Sequence, residues 1–342
     1  VVAGTIASVH SQEASRRTVT ARAARAKPFV APKTPWGDPD LQGGWTNVNE
    51  NGIPFERPDA LAGKQLETVD DSELAELVKE RDEARVRGAA AIGGRETGAG
   101  PVHWYEHYGA KNSRAWMVID PPDGRIPPQT PAALARISGR AGGRGGRAGG
   151  AGEGGRADSW LDRSFYDRCI TRGLPGSMMP AIYGNSYEIV QGPGYVAIQY
   201  EMVNELRVIP LDPSTSSGSS RAQSRDDGGP RIGSAIRAYM GYARGHFEGE
   251  THVIETTNFT DKVPYRGSSE HLKLTERFTQ RAPGIVEWSV TFDDPHTWAR
   301  PWTFAMNLTK TTEPPFEYAC HEGNYAMRNM LTIAREEEKS SR

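Results

Sequence analysis

Cysteine is nearly absent from this 342-residue chain: two residues, Cys169 and Cys320, stand far apart with no CxxC pair. That excludes a zinc ribbon and a thioredoxin-type redox motif. No run of 18 apolar residues occurs, which excludes a membrane-spanning helix. Neither charge sign is in surplus: the net charge is -2 and the pI about 6.5. A dedicated nucleic-acid binder would carry a basic excess. Apolar residues are also scarce, at 37%, with a mean hydropathy of -0.62. About a third of the chain is therefore expected outside any core, leaving roughly 200–230 ordered residues. No signature names a reaction, and no motif asks for a cofactor. An initiator methionine is missing too, and the expectation drawn from this is a chain processed upstream and exported.

What is present begins with "VVAGTIASVH" on a polar stretch. Three readings stand beside one another. The decamer can be the end of a signal peptide, with Val9 and Ser11 at the -3 and -1 positions of a cleavage site. It can be a disordered terminus. It can be a strand that pairs beyond its own domain, because Val, Thr and Ile are spaced for one and Gly4 is the single break. Residues 11–35 carry Arg16, Arg17, Arg22, Arg25, Lys27 and Lys33 against one acid, Glu13. This composition reads as a solvated tether that could reach ~80 Å when extended. Residues 1–35 are thus expected to form an extended N-terminal arm.

One β-rich domain is expected over 36–335, followed by a polar tail at 336–342. Within it "TVDDSELAELVKERDEARVR" predicts a helix. Asp70, Asp71 and Ser72 supply the N-cap, Leu74, Leu77 and Val78 form a narrow stripe, and Gly88 is the expected stop. A Gly/Arg tract (138–157) and a Ser/Gly tract (212–231) cannot bury enough apolar surface to order themselves and read as insertions. From 183 to 310 the pattern turns to strands. "YEIVQGPGYVAIQYEM", "YARGHFEGETHVIETTNF" and "HLKLTERFTQRAPGIVEWSVTF" each read as two runs about a Gly-containing turn. In the last, Leu272, Leu274 and Phe278 alternate on one face, answered by Val286, Trp288, Val290 and Phe292. Eight to ten strands joined by short loops predict an antiparallel meander that curls into a barrel or sandwich. One or two peripheral helices are expected with it, the second near "YAMRNMLTIAREEE". "LQGGWTN" resembles the Gly-x-Trp opening of lipocalin-type barrels, with Gly43 and Trp45 matching.

Four longer segments carry a second resemblance: "DPPDGRIPP" (120–128), "TTNFTDK" (256–262), "RGSSEHLKLTERF" (266–278) and "FEYACHEGNYAMRNML" (316–331). Over about 36–335 the chain resembles an exported bacterial family of unknown function, which implies secretion but no reaction. It also resembles, less specifically, subunits of extracellular protein fibrils.

Residues that could carry chemistry are few. His103 and His107 in "HWYEH" share one face of a helix, as metal ligands do, but the HExxH order is absent. Aromatic packing is the preferred reading there, and no metal is expected. Cys320, His321 and Glu322 adjoin, yet neighbours on a strand point to opposite faces and cannot form a dyad locally. In an exported chain Cys169 and Cys320 are expected to form one disulfide, worth ~2–4 kcal/mol. Glu276 shares the alternating face of Leu272, Leu274 and Phe278. If that face is core, the carboxylate needs a partner, and Arg207 and Arg244 are the arginines considered. The alternative makes Glu276 a ligand contact or general acid/base. Sequons stand at Asn258 and Asn307, and Thr/Ser-rich loops leave glycans open as partners.

The expected function is a non-enzymatic extracellular subunit that polymerises head to tail with copies of itself, through Val1, Val2, Ile6 and Val9 of the N-terminal strand. The alternative is a secreted or periplasmic barrel that binds or transforms a small apolar ligand, with Glu276, His321 and Glu322 as its catalytic candidates. A third reading, a basic-armed polyanion binder, rests on the tether alone.

Overall fold

The computed structural model describes residues 29–91, 113–141, 158–181, 183–212, 233 and 235–340. Ten strands form one antiparallel sheet: β1 (Gly43–Thr46), β2 (Val118–Asp120), β3 (Ser186–Gly192), β4 (Tyr195–Tyr200), β5 (Glu205–Pro210), β6 (Tyr242–Glu248), β7 (Thr251–Thr257), β8 (Lys273–Ala282), β9 (Ile285–Asp293) and β10 (Trp302–Thr311). Their order is β5-β4-β3-β1-β10-β9-β8-β7-β6, with β2 pairing onto β10. The expected hairpins are all present, and Gly249 and Gly284 take the left-handed turn positions of two of them.

Alternation determines what the sheet encloses. Leu274, Phe278, Val286, Trp288, Val290, Phe292, Trp302, Phe304, Met306 and Leu308 are all buried on the inner face. Phe292 and Trp302 stack at 4.1 Å between ring centroids, and Trp288 meets Phe304 edge-on at 5.5 Å. Trp45 is buried on β1 and its indole N–H donates to the Leu41 carbonyl at 2.8 Å. The sheet curls around this core, but it is not closed. Among the described residues, its end strands β5 and β6 meet by backbone only around Leu211 and Gly245. That is a parallel bridge in which the Asp212 N–H donates to the Gly245 carbonyl at 2.9 Å. Nine alternating strands along the path leave the two ends parallel, so they cannot continue the antiparallel ladder.

Three helices flank the sheet: α1 (Asp71–Ala91), α2 (Pro131–Ala141) and α3 (Ala326–Ser340). Asp70 caps α1, its Oδ1 accepting from the Ser72 and Glu73 N–H groups at 2.9 Å. Leu74 and Leu77 then pack on a small satellite core of Leu61, Ala115 and Trp116.

Several boundaries differ from the sequence reading. The helix α1 runs past Gly88 to Ala91, because Ala89, Ala90 and Ala91 are strong helix formers and one glycine costs only about 1 kcal/mol. Helix α2 takes the first residues of the Gly/Arg tract; Thr130 caps it, accepting from the Ala133 N–H at 3.1 Å, and Pro131 opens it. Packing already starts within the expected arm, since Ala31 and Thr34 are buried. The polar tail is helical to Ser340, its exposed charges pairing along α3 as Arg335–Glu338 and Lys339–Glu336 at 2.7 Å. No helix among the described residues is long and apolar enough to cross a membrane.

Candidate functional site

Glu276 lies on the inner face of β8, fully buried, and its partner is Arg207 of β5. The guanidinium donates from Nη1 to Glu276 Oε2 at 2.5 Å and from Nη2 to Thr256 Oγ1 of β7 at 2.5 Å. The Trp288 indole N–H of β9 donates to the other carboxylate oxygen at 3.3 Å. Arg207 therefore reaches from one end of the sheet to the strands near its other end. The side chains thus join what the backbone ladder leaves apart. Burial would lower the Arg207 pKa, but the Glu276 charge and Tyr200 outweigh it and hold the guanidinium charged.

Two further polar groups border this pair. Burial lifts the Tyr200 hydroxyl well above the ordinary tyrosine range. His252 of β7 is pushed down to about 3, first by burial and then by the Arg207 charge, so its ring is neutral. His252 Nε2 and Arg207 Nε are buried without a hydrogen-bond partner. The walls around them are Phe247 and Phe278, whose rings lie 5.0 and 6.3 Å from His252.

This arrangement suits a structural latch better than acid/base chemistry. A general acid or base must reach the proton it transfers. Glu276 has both oxygens engaged and no exposure, and the surrounding positions are filled by Trp288, Phe278 and Tyr200. The other two catalytic candidates are not brought to it. His321 and Glu322 are exposed, in an irregular segment beside the disulfide rather than on a strand. His321 lines a shallow depression of about 320 Å³ with Trp160, Arg168, Ile170 and Met327.

Cys169 and Cys320 are bonded, with Cα atoms 5.7 Å apart. The bridge ties two segments outside the sheet, and the Asn324 amide donates to the Cys320 carbonyl at 2.7 Å. The other motifs behind the family resemblance are likewise occupied in holding the fold. Ser269 of "RGSSE" donates to buried Asp294 from its N–H at 2.6 Å and its hydroxyl at 2.8 Å. In "DPPDGRIPP" the Ile126 N–H donates to Glu56 at 2.7 Å. The sequon residue Asn258 spends its amide on the Gly233 and Ile236 carbonyls at 3.3 and 3.0 Å, and Asn307 sits mid-strand in β10. His103, His107, Val1, Val2, Ile6 and Val9 lie outside the described residues. Among the described residues, no three His, Cys, Asp or Glu side chains are grouped to hold a metal ion.

Glu50 escaped sequence reasoning. It is buried, accepting from the Ser113 and Asn307 N–H groups at 3.1 and 3.2 Å, and burial raises its pKa despite these bonds. A lone acid in "TNVNENG" carries no periodic signal that could have singled it out. Compared with known proteins, the chain matches no family model, no curated protein and no solved structure.

Proposed function

We propose that the chain is a secreted structural subunit that assembles head to tail with copies of itself, residues 1–10 being the segment passed to the neighbour. The observation that carries this reading is the open seam. The end strands β5 and β6 share one backbone bridge, at Leu211 and Gly245, so strand edges remain for another chain to pair with. Glu276 adds support, because it is buried and its oxygens are engaged by Arg207 and Trp288 rather than offered to a ligand. The disulfide fits an oxidising, extracytoplasmic location.

Backbone pairing alone does not hold a donated strand. Each hydrogen bond nets about 0.5–1.5 kcal/mol, while ordering a residue costs about 1–2 kcal/mol. Apolar burial by one alternate set of decamer side chains must supply the rest. Negative-stain microscopy and sedimentation of the full chain should show filaments or oligomers. The chain lacking residues 1–10 should keep its circular dichroism and stay monomeric. If it assembles as well as the full chain, the reading is wrong.

A further inference from the structure

Two histidines far from the Glu276 latch in sequence and role meet at one end of the β8–β9 hairpin. Register sets Lys273 opposite Asp293 at that end. His271 stands just before β8 and His296 just after β9, in the connection to β10. Their rings stack with centroids 4.3 Å apart and planes at 24°. Both side chains are exposed.

One buried node holds both backbones. The His271 N–H donates to Ser269 Oγ at 3.1 Å, and the His296 N–H donates to Asp294 Oδ1 at 3.1 Å. Ser269 and Asp294 are themselves joined twice, at 2.6 and 2.8 Å, and both are buried. The start of α2 adds two further ties. The Thr130 hydroxyl donates to the His296 carbonyl at 3.0 Å. Arg136 donates to the Thr297 hydroxyl at 2.8 Å, which donates in turn to Asp294 Oδ2 at 2.6 Å. The segments "RGSSEH" and "DDPHT" thus fix where the two imidazoles start, and leave only side-chain torsions to adjust.

We infer that His271 and His296 form a chelating pair for a divalent transition ion of the copper–zinc group, with water in its remaining positions. Imidazole suits these ions, whereas calcium and magnesium take oxygen ligands. Two ligands already held side by side lose less freedom on binding than two independent ones. Charge agrees with a cation here. Glu270 Oε1 lies 3.8 Å from His271 Nε2, while its other oxygen faces Arg237 Nε at 3.3 Å. The carboxylate adds negative potential beside the pair without being a third ligand.

The rings must move to bind. At a metal–nitrogen distance of ~2.0–2.1 Å, two nitrogens at the tetrahedral angle lie about 3.3 Å apart. Stacked planes do not converge on one ion, so binding swings the imidazoles about their side-chain torsions. Both face solvent, and the anchored backbones keep them within range of each other. Stacking alone is a poorer account of the pair, because aromatic contacts gain most from buried area and these rings stay exposed.

The test titrates Cu²⁺ or Zn²⁺ alone into the full chain, stripped of metal by a chelator, at neutral pH in a calorimeter. Cu²⁺ should bind more tightly than Zn²⁺, and Mg²⁺ should not compete. His271→Gln and His296→Gln should each weaken this binding about tenfold or more. The double variant should lose no more than either alone, since one missing ligand already breaks the chelate. Circular dichroism of these variants should match the unmodified chain, because both side chains face solvent. Electron paramagnetic resonance of the Cu²⁺ complex should show two nitrogen ligands, and fewer after either substitution. His103 and His107 are the rival pair in the sequence. His103→Gln combined with His107→Gln should leave the binding unchanged. The inference is wrong if that variant removes the binding, if His271→Gln binds like the unmodified chain, or if the unmodified chain binds neither ion.

Discussion

Replacing Glu276 by glutamine leaves the Arg207 guanidinium, whose side chain is 5% exposed, without an anion beside it. Removing one partner of a buried pair costs about 3–5 kcal/mol, most of it the uncompensated charge. Glu276→Gln is therefore expected to lose that much in urea unfolding. The double variant Arg207→Met with Glu276→Leu should recover most of it, because no charge is then stranded. Without that recovery, the loss in Glu276→Gln would not be that of a stranded charge. His252 adds a pH dependence whose sign follows from its depressed value. Above the unfolded pKa near 6.5 the ring is neutral in both states and costs nothing. As the pH falls from 6.5 toward about 3, only the unfolded chain takes up the proton, so stability is lost over that window. The slope is about 1.4 kcal/mol per pH unit. Denaturant titrations at pH 7 and pH 5 should differ accordingly, and His252→Phe should flatten the difference.

The seam between β5 and β6 depends on one residue having no side chain. A Cβ on Gly245 would stand 2.8 Å from His252 Nε2, 2.9 Å from Leu211 Cδ2 and 3.0 Å from Ile209 Cγ2. Those atoms must shift, and overpacking of this kind costs about 1–3 kcal/mol. Gly245→Ala is expected to lower stability by that amount and to speed hydrogen exchange at the Asp212 N–H, which bonds to the Gly245 carbonyl. Equal exchange in both proteins would show that the bridge does not depend on this close approach. The β8–β9 hairpin was legible because its alternation is regular: Leu274, Glu276 and Phe278 face Phe292, Val290 and Trp288 in register. Strand β5 was not legible in the same way. In "ELRVIP" the alternation rule alone would bury Leu206 and Val208 and expose Arg207. The fold does the reverse, because Arg207 has Glu276 and Thr256 to meet inside.

Across the whole molecule, the disulfide anchors the chain beyond the sheet. Helix α3 has no fully buried residue, and Met327, Met330, Leu331 and Ala334 are only half-buried along one side. Besides the Cys169–Cys320 bond, Arg335 holds the helix to the domain by donating to the Asp158 carbonyl at 2.9 Å. Reduction is expected to cost ~2–4 kcal/mol by freeing a 151-residue separation in the unfolded chain. It should also open Arg328 and Arg335 to trypsin while the β-sheet signal in circular dichroism persists. A reduced protein that resists trypsin there would show that α3 docks by its own contacts.

The sequence by itself determined the β class, the hairpins and the inner face of β8 and β9, because period-two alternation and Gly-containing turns are local and need no knowledge of distant chain. It also picked out Glu276 as an acid that must be paired, since a carboxylate on an apolar face is costly wherever the strand lies. The tertiary structure alone decided which arginine answers it, that β5 turns its apolar residues outward, and that the sheet stops short of closure. Those outcomes depend on how strands far apart in sequence are brought around one core. The pairing of β5 with distant β7 and β8 through Arg207 leaves no trace in the six residues of β5 taken alone.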